Sequence, residues 1–173
     1  PKIIAVSKTF KIEHILPLID YGHIDYGENK VQEAIEKWTD IKKKNNKIKL
    51  HLIGKLQTNK VKHAVKIFDY IHSLDSEKLA KKISEEQKKN DLNPKIFIQI
   101  NLGLESQKSG IVKENLVNFY NFCKNLDLNI VGIMCIPPFD EDSSKYFSEM
   151  SKLCKSIDKN ELSMGMSSDY LKA

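Results

Sequence analysis

The chain has 173 residues, of which 40% are hydrophobic and 29% charged, a composition typical of a globular domain with one core. No apolar run approaches the ~20 residues of a membrane-spanning helix, and the first residues are typical of a strand rather than a signal peptide. The net charge is +5, but every cation is lysine and most lysines lie on polar helix faces, so neither a nucleic-acid-binding surface nor a membrane protein is indicated.

Short apolar runs alternate with segments of helical spacing along the whole chain. The predicted strands are residues 2–6, 24–26, 50–53, 70–72, 96–100, 130–134 and 162–164. The predicted helices are about 12–19, 31–38, 61–68, 76–89, 116–123 and 146–157, with residues 167–173 compatible with the start of another. Pro17 should make the first helix start late or bend, and the Lys/Asn run at 42–47 is typical of a loop.

Seven strand–helix units in series predict a parallel sheet with helices outside it. Their even spacing favours an α/β fold of the TIM (β/α)₈ barrel type over an open doubly wound sheet. We therefore expect residues 1–173 to form a single barrel domain in which the eighth unit is absent. Closure of the barrel needs that unit, so we expect the intact polypeptide to be longer by ~20 to 30 residues.

Polar residues follow the predicted strands, at the barrel rim where active sites lie. Lys8 ends an apolar strand, and partial desolvation there would lower the pKa of its amine and make it a nucleophile for a Schiff base. A plain surface lysine is the alternative. The small-residue turn at 163–168 is suited to binding a phosphate through hydroxyl and N–H groups, or equally to capping a helix.

The histidines and cysteines indicate no catalytic or metal site. His51 and His72 lie within strands and are best interpreted as core histidines. Cys123, Cys135 and Cys154 are far apart and show no C-x-x-C spacing, so we expect three buried thiols, a reducing compartment and a cytoplasmic location. No Ser-His-Asp order, G-x-G-x-x-G or P-loop is present.

Seven sequence blocks, in order, resemble the pyridoxal 5′-phosphate (PLP) homeostasis protein family, which is related to the alanine racemase barrel. They are AVSKT (5–9), YGENKVQEA (26–34), HLIGKLQTNKVK (51–62), HSLD (72–75), QINLGLESQKSGI (99–111), GIMCIPP (132–138) and LSMGMSSDY (162–170). The resemblance implies a barrel of PLP fold type III that holds the cofactor as a Schiff base and buffers or delivers it, with no established catalytic activity.

The resemblance also implies which residues contact the cofactor. Lys8 would carry PLP, Asn29 would lie near its ring, and Ser163 and Ser167 would lie at its phosphate, with Met164 beside them. No catalytic or metal-binding residue is expected. The family continues past this block to a strand with an R-I-G-T block and usually begins with a helix before AVSK, so both ends of the domain should be incomplete.

Two other functions remain open on the sequence. A PLP-dependent amino-acid racemase or decarboxylase uses the same barrel, but it adds a β-domain for which the chain has no room, and no second base opposite Lys8 is evident. A nucleic-acid-binding barrel needs a basic stripe that is not found. For a carrier, we expect PLP as the ligand, apo PLP enzymes as recipients, and a monomer.

Overall fold

Seven parallel strands form one sheet in the computed structural model, which describes residues 1–103, 109–138 and 141–173. The strands lie in the sheet in chain order, β1 to β7, and each pairs in parallel with the next. They are β1 (Ala5–Val6), β2 (Asp25–Glu28), β3 (Lys49–Leu52), β4 (Tyr70–Leu74), β5 (Lys95–Ile100), β6 (Ile130–Cys135) and β7 (Glu161–Ser163). The predicted parallel α/β barrel architecture is confirmed.

A helix follows each of the first six strands, because a parallel connection has to return the chain to the opposite end of the sheet. The helices are α1 (Ile12–Asp20), α2 (Val31–Lys44), α3 (Val61–Ile67), α4 (Glu77–Asn90), α5 (Leu116–Asn125) and α6 (Ser143–Ser156). Short 3₁₀ turns, Thr58–Lys60 and Lys113–Asn115, precede α3 and α5. Among the described helices, none is long and apolar enough to cross a membrane.

Alternation along the strands separates two apolar clusters. The larger cluster lies between the sheet and the helices and includes the fully buried Leu50, Ile71 and Trp38. The smaller cluster, Tyr70, Phe97 and Met134, lies apart from it on the opposite face of the strands. The three cysteines, Cys123, Cys135 and Cys154, are free thiols buried in the larger cluster.

The sheet curls strongly about its inner face. β4 and β7 are three strands apart, so in a flat sheet their residues would be separated by about 14 Å. Instead, Nδ1 of His72 in β4 lies 2.7 Å from Oγ of Ser163 in β7. Side chains from strands that do not pair with each other therefore meet inside the curve, as they do in a barrel.

Two predictions at the first two units are wrong, and of the two effects expected of Pro17, the late start of the helix does not occur. The strand expected at 2–6 is limited to Ala5–Val6 and is not fully buried, since Ile3 is 68% and Val6 45% exposed. This strand pairs only with β2 among the described residues, so one of its sides has no neighbour. The first helix begins at Ile12, as its apolar spacing predicts, and contains Pro17. The second helix, α2, continues through Lys44 into the segment that was expected to be a loop.

Residues 167–172, in the segment where a helix was predicted to start, form turns instead. Gly165 ahead of them has a φ of +87°, which breaks the path from β7 into a helix. The carboxylate of Asp169 accepts from the N–H of Met166 at 2.7 Å, and this bond stabilises the turn.

Candidate functional site

Most of the predicted site residues lie at one edge of the sheet. Lys8 follows β1, Asn29 follows β2 and Ser163 ends β7. Because all strands are parallel, their carboxyl ends share one edge, which is the functional edge of such barrels. Only Ser167, beyond the end of β7, lies in an exposed turn of its own.

A buried carboxylate anchors the backbone just before Lys8. Glu28, at the end of β2, is fully buried, and its Oε1 accepts from Ser7 Oγ at 2.8 Å, Lys37 Nζ at 2.8 Å and Trp38 Nε1 at 2.9 Å. The Lys37 ammonium also donates to the carbonyl oxygen of Ser7 at 2.8 Å. A charged group in the interior needs such partners, and here they tie the end of β1 to β2 and α2.

The residue after Lys8 is held as firmly. The N–H of Thr9, whose φ of +66° is left-handed, donates to Glu33 Oε1 at 2.7 Å. Burial raises the pKa of Glu33, but the bond from Thr9 and the ion pair with Lys37 outweigh it, and the net pKa lies below its usual value. The carboxylate is therefore charged at neutral pH and keeps this turn in place.

Lys8 itself projects from the anchored turn into solvent. Its side chain is exposed, contrary to the expected partial desolvation, because β1 is short and lies at an edge of the sheet. Within the ranges that the structure describes, its amine makes no hydrogen bond or ion pair. Chemically, the turn presents an exposed primary amine on an anchored backbone, accessible to a carbonyl compound.

Asn29 is half-buried and its backbone is covered by a glycine. A Cβ on Gly54, in the loop after β3, would come within 2.4 Å of the carbonyl oxygen of Asn29 and 2.7 Å of its Cα. Only glycine permits this approach. The loop after β3 therefore packs directly on the backbone that positions Asn29.

Ser163 ends a chain of hydrogen bonds that crosses the inner face of the sheet. Its Oγ lies 2.7 Å from His72 Nδ1, His72 Nε2 lies 2.9 Å from His51 Nδ1, and His51 Nε2 lies 3.0 Å from Asp25 Oδ1. The ring of His51 stacks on Tyr70 with centroids 4.2 Å apart. β2, β3, β4 and β7 each contribute one member of this four-residue chain.

Both histidines are neutral in this environment. Burial and, to a smaller extent, the neighbouring His51 lower the pKa of His72 to about 3. Burial also lowers the pKa of His51, against the opposing effect of Asp25. The interpretation as core histidines is confirmed, but their connection to Ser163 was not predicted. Its signal in the sequence is the strand alternation that turns Asp25, His51 and His72 to the inner face.

The other two predicted residues are less well placed for a ligand. Met164 is half-buried and packs against the larger apolar cluster on the helix side of the sheet. Ser167 is exposed, and one N–H of the expected phosphate-binding turn, that of Met166, is already bonded to Asp169. Of the predicted phosphate-binding residues, Ser163 is the one with a defined hydrogen-bond partner on the inner face.

Metal chemistry has no obvious centre here: among the residues that the structure describes, no group of three or more His, Cys, Asp or Glu side chains is arranged to hold an ion. The site's polar groups are an amine, an amide and hydroxyls. That set suits a carbonyl compound bearing an anionic group.

Comparison with known proteins identifies the family. Residues 1–173 match the model of the alanine racemase N-terminal domain. The chain is 35% identical over 179 residues to the pyridoxal phosphate homeostasis protein of Aquifex aeolicus, covering 98% of this chain and 78% of that protein. The chain belongs to the pyridoxal phosphate homeostasis protein family.

Solved structures agree with this membership. PipY of Synechococcus elongatus with PLP bound superposes with a TM-score of 0.91 at 32% identity, covering 99% of this chain and 84% of that one. Alanine racemase of Clostridium difficile superposes with a TM-score of 0.73 at 16% identity, covering 97% of this chain and 47% of that one, and so shows the shared fold alone. The predicted family and its alanine-racemase-type barrel are confirmed.

Proposed function

We propose that this chain binds PLP covalently through Lys8 and serves in PLP homeostasis, holding and delivering the cofactor without turning over a substrate. The observation that carries the proposal is the Lys8 amine itself, exposed at the carboxyl edge of a parallel barrel on a turn anchored at Ser7 and Thr9. Membership of a family whose curated relatives bear the name of PLP homeostasis proteins supports it.

The donor set at this edge fits PLP. The cofactor supplies an electrophilic aldehyde, and the Lys8 amine is the nucleophile that can hold it. The amide of Asn29 can donate to or accept from the ring substituents. The hydroxyls of Ser163 and Ser167, with Met164 between them along the chain, are the groups we assign to the phosphate end.

The decisive experiment is chemical trapping at Lys8. The purified protein should be yellow, and borohydride reduction followed by peptide mass spectrometry should find the pyridoxyl group on Lys8. Lys8→Ala should lose the label, whereas Lys11→Ala, an exposed lysine at the start of α1, should keep it. A label on another lysine in the wild-type protein would disprove the assignment.

We also infer how the carrier acts in the cell. Its recipients would be apo PLP enzymes, it would act as a monomer, and it would reside in the cytoplasm. Three free buried thiols support a reducing compartment. Transfer of PLP to an apo enzyme and sedimentation of the holo protein test the first two points.

A further inference from the structure

The hydrogen-bond chain Asp25–His51–His72–Ser163 has only one possible direction while both histidines are neutral. The Asp25 carboxylate can only accept, so His51 carries its proton on Nε2 and presents a lone pair at Nδ1. His72 must then donate from Nε2 and presents a lone pair at Nδ1 in turn. The proton of the Ser163 hydroxyl is therefore directed at His72.

This direction conflicts with a phosphate at Ser163. A phosphate dianion accepts hydrogen bonds, so Ser163 has to turn its single proton toward the ligand. The two acceptors, Ser163 Oγ and His72 Nδ1, would then face each other at 2.7 Å with no proton between them. A buried polar atom left in that state is costly, and the cost disappears if His72 Nδ1 gains a proton.

The count of protons is fixed by the count of bonds. Without ligand, three hydrogen bonds hold three protons, on Ser163 Oγ, His72 Nε2 and His51 Nε2. With a phosphate accepting from Ser163, four bonds need four protons. The fourth can reside on an imidazole or on Asp25, but every arrangement that keeps all four bonds contains one more proton than before.

We infer that binding of the PLP phosphate at Ser163 takes up one proton into the Asp25–His51–His72 chain, which makes His72 a positioning residue for the phosphate. The inference rests on the proposed function, since it needs the phosphate to lie at Ser163. In this scheme, the Ser163 hydroxyl donates to His72 when no anion is bound and donates to the phosphate when the chain of His51 and His72 has taken up a proton.

The charges around the two rings act in both directions. The charged and titratable groups that act on them come from several elements: Asp25 of β2, Asp69 before β4, Tyr70 of β4 with Lys95 of β5 on its hydroxyl, and Lys2. Phe97 of β5, stacked on His72, is uncharged. Asp25 and Asp69 stabilise a protonated His51, and burial and Lys2 oppose it. A phosphate adds negative charge at the other end of the chain.

The test compares proton uptake on binding of PLP and of pyridoxal, which lacks the phosphate. Calorimetry at pH 7.5 in buffers of different ionisation enthalpy gives the protons taken up, and the attachment at Lys8 cancels in the difference between the ligands. At this pH a free phosphate monoester, with a second pKa near ~6, is already a dianion. We expect about one additional proton for PLP, and its affinity relative to pyridoxal should fall about tenfold per pH unit above neutrality.

Variants and spectra identify where the proton goes. Ser163→Ala and His72→Phe should abolish the difference, whereas Ser156→Ala, at an exposed serine that ends α6, should retain it. Nitrogen resonances of ¹⁵N-histidine in the wild-type protein should show His72 Nδ1 unprotonated without ligand and protonated with PLP. The carboxyl resonance of ¹³C-labelled Asp25 shows whether the additional proton resides there. These measurements need no variant and therefore survive a folding failure.

Two outcomes would overturn the inference without touching the proposed function. PLP trapped on Lys8 with equal proton uptake for PLP and pyridoxal would mean that Ser163 does not direct a proton to the phosphate. Uptake with unchanged histidine and Asp25 resonances would place the proton on the phosphate itself. Loss of the label on Lys8, in contrast, would refute the proposed function first.

Discussion

His72 shows what burial does to a single titratable residue. Its ring stacks on Phe97 with centroids 4.5 Å apart, it is bonded at both nitrogens, and burial lowers its pKa from 6.5 to about 3. Between these two values, the unfolded chain binds a proton at this position and the folded chain does not. The stabilisation from neutral His72 is therefore complete above pH 6.5 and is lost progressively as the pH falls toward 3.

The variant His72→Phe should remove this dependence. At pH 7.5 it should be less stable than wild type by about 1–3 kcal/mol, because His51 and Ser163 lose a buried partner. Below pH 6.5 the difference in free energy of unfolding between wild type and variant should shrink by about 1.4 kcal/mol per pH unit, since only the wild type loses the contribution of residue 72. Urea unfolding at pH 7.5 and 5.0 measures both free energies of unfolding.

His63→Phe, at an exposed position of α3, is the control and should leave the pH dependence of the wild type unchanged. A gap between wild type and His72→Phe that stays constant from pH 7.5 to 5.0 would mean that His72 is protonated in the folded state.

At the scale of elements, three helices end in the same way with an unusual residue. Asp91 after α4, Asp127 after α5 and Asp158 after α6 all have positive φ, between 51° and 59°. In each case, the next N–H reaches back five residues, as that of Lys159 does to the carbonyl of Cys154 at 3.1 Å. This is the Schellman ending, which glycine usually occupies because it has no Cβ.

Replacing such an aspartate by glycine should stabilise the protein. Asp158→Gly relieves the left-handed conformation and removes a negative charge from the negative end of the helix dipole, for a gain of about 0.5–1 kcal/mol. Chemical denaturation measures the change. Asp40→Gly, inside α2, is the control and should give no gain, because its backbone is helical. Equal effects of the two substitutions would contradict the conformational explanation.

The sequence predicts the order and type of nearly all elements, but it misplaces some of their ends. Buried strands such as Lys95–Ile100 and amphipathic helices such as Glu77–Asn90 carry strong periodicity, so they are found within one or two residues. Pro17 does not delay the start of α1, because proline removes only one N–H from a helix whose packing through Ile15 survives the loss. The loop prediction failed at Lys44 because lysines are favourable in the last turn of a helix. Their positive charges lie at the negative end of the helix dipole, so the run continues α2.

The candidate site was predictable in position and only partly in contacts. Placing Lys8, Asn29 and Ser163 at one sheet edge follows from parallel topology and strand length alone. The exposure of Lys8 and the bond between His72 and Ser163 depend on how far the sheet curls, which no local pattern encodes. Long-range contacts between β4 and β7 are absent from any window of sequence, although the alternation of inward residues marks the candidates.

At the scale of the whole molecule, the described barrel exposes its functional edge. Alanine racemase shares the fold. A buried acid–base pair around the cofactor is what turnover of amino acids requires. Around Lys8, the described residues provide instead an exposed amine on a turn held by ion pairs.

We therefore expect little or no turnover of amino acids. Incubation of the PLP-loaded protein with L-alanine or L-serine, followed by chiral chromatography, should show racemisation far below about 1 per second, the lower end of ordinary enzymatic rates. Alanine racemase loaded with PLP is the positive control. A rate at or above that value would favour an enzyme over a carrier.

The three buried thiols can report local opening of the folded protein. Cys123, Cys135 and Cys154 lie on α5, β6 and α6, and burial raises the pKa of the Cys123 and Cys135 thiols to about 12. An alkylating reagent reacts with thiolate, so in the closed molecule it meets neither an accessible nor an ionised sulfur. Alkylation of a cysteine therefore requires local unfolding of the element that carries it. The relative rates at which the three cysteines react rank α5, β6 and α6 by their free energies of local opening.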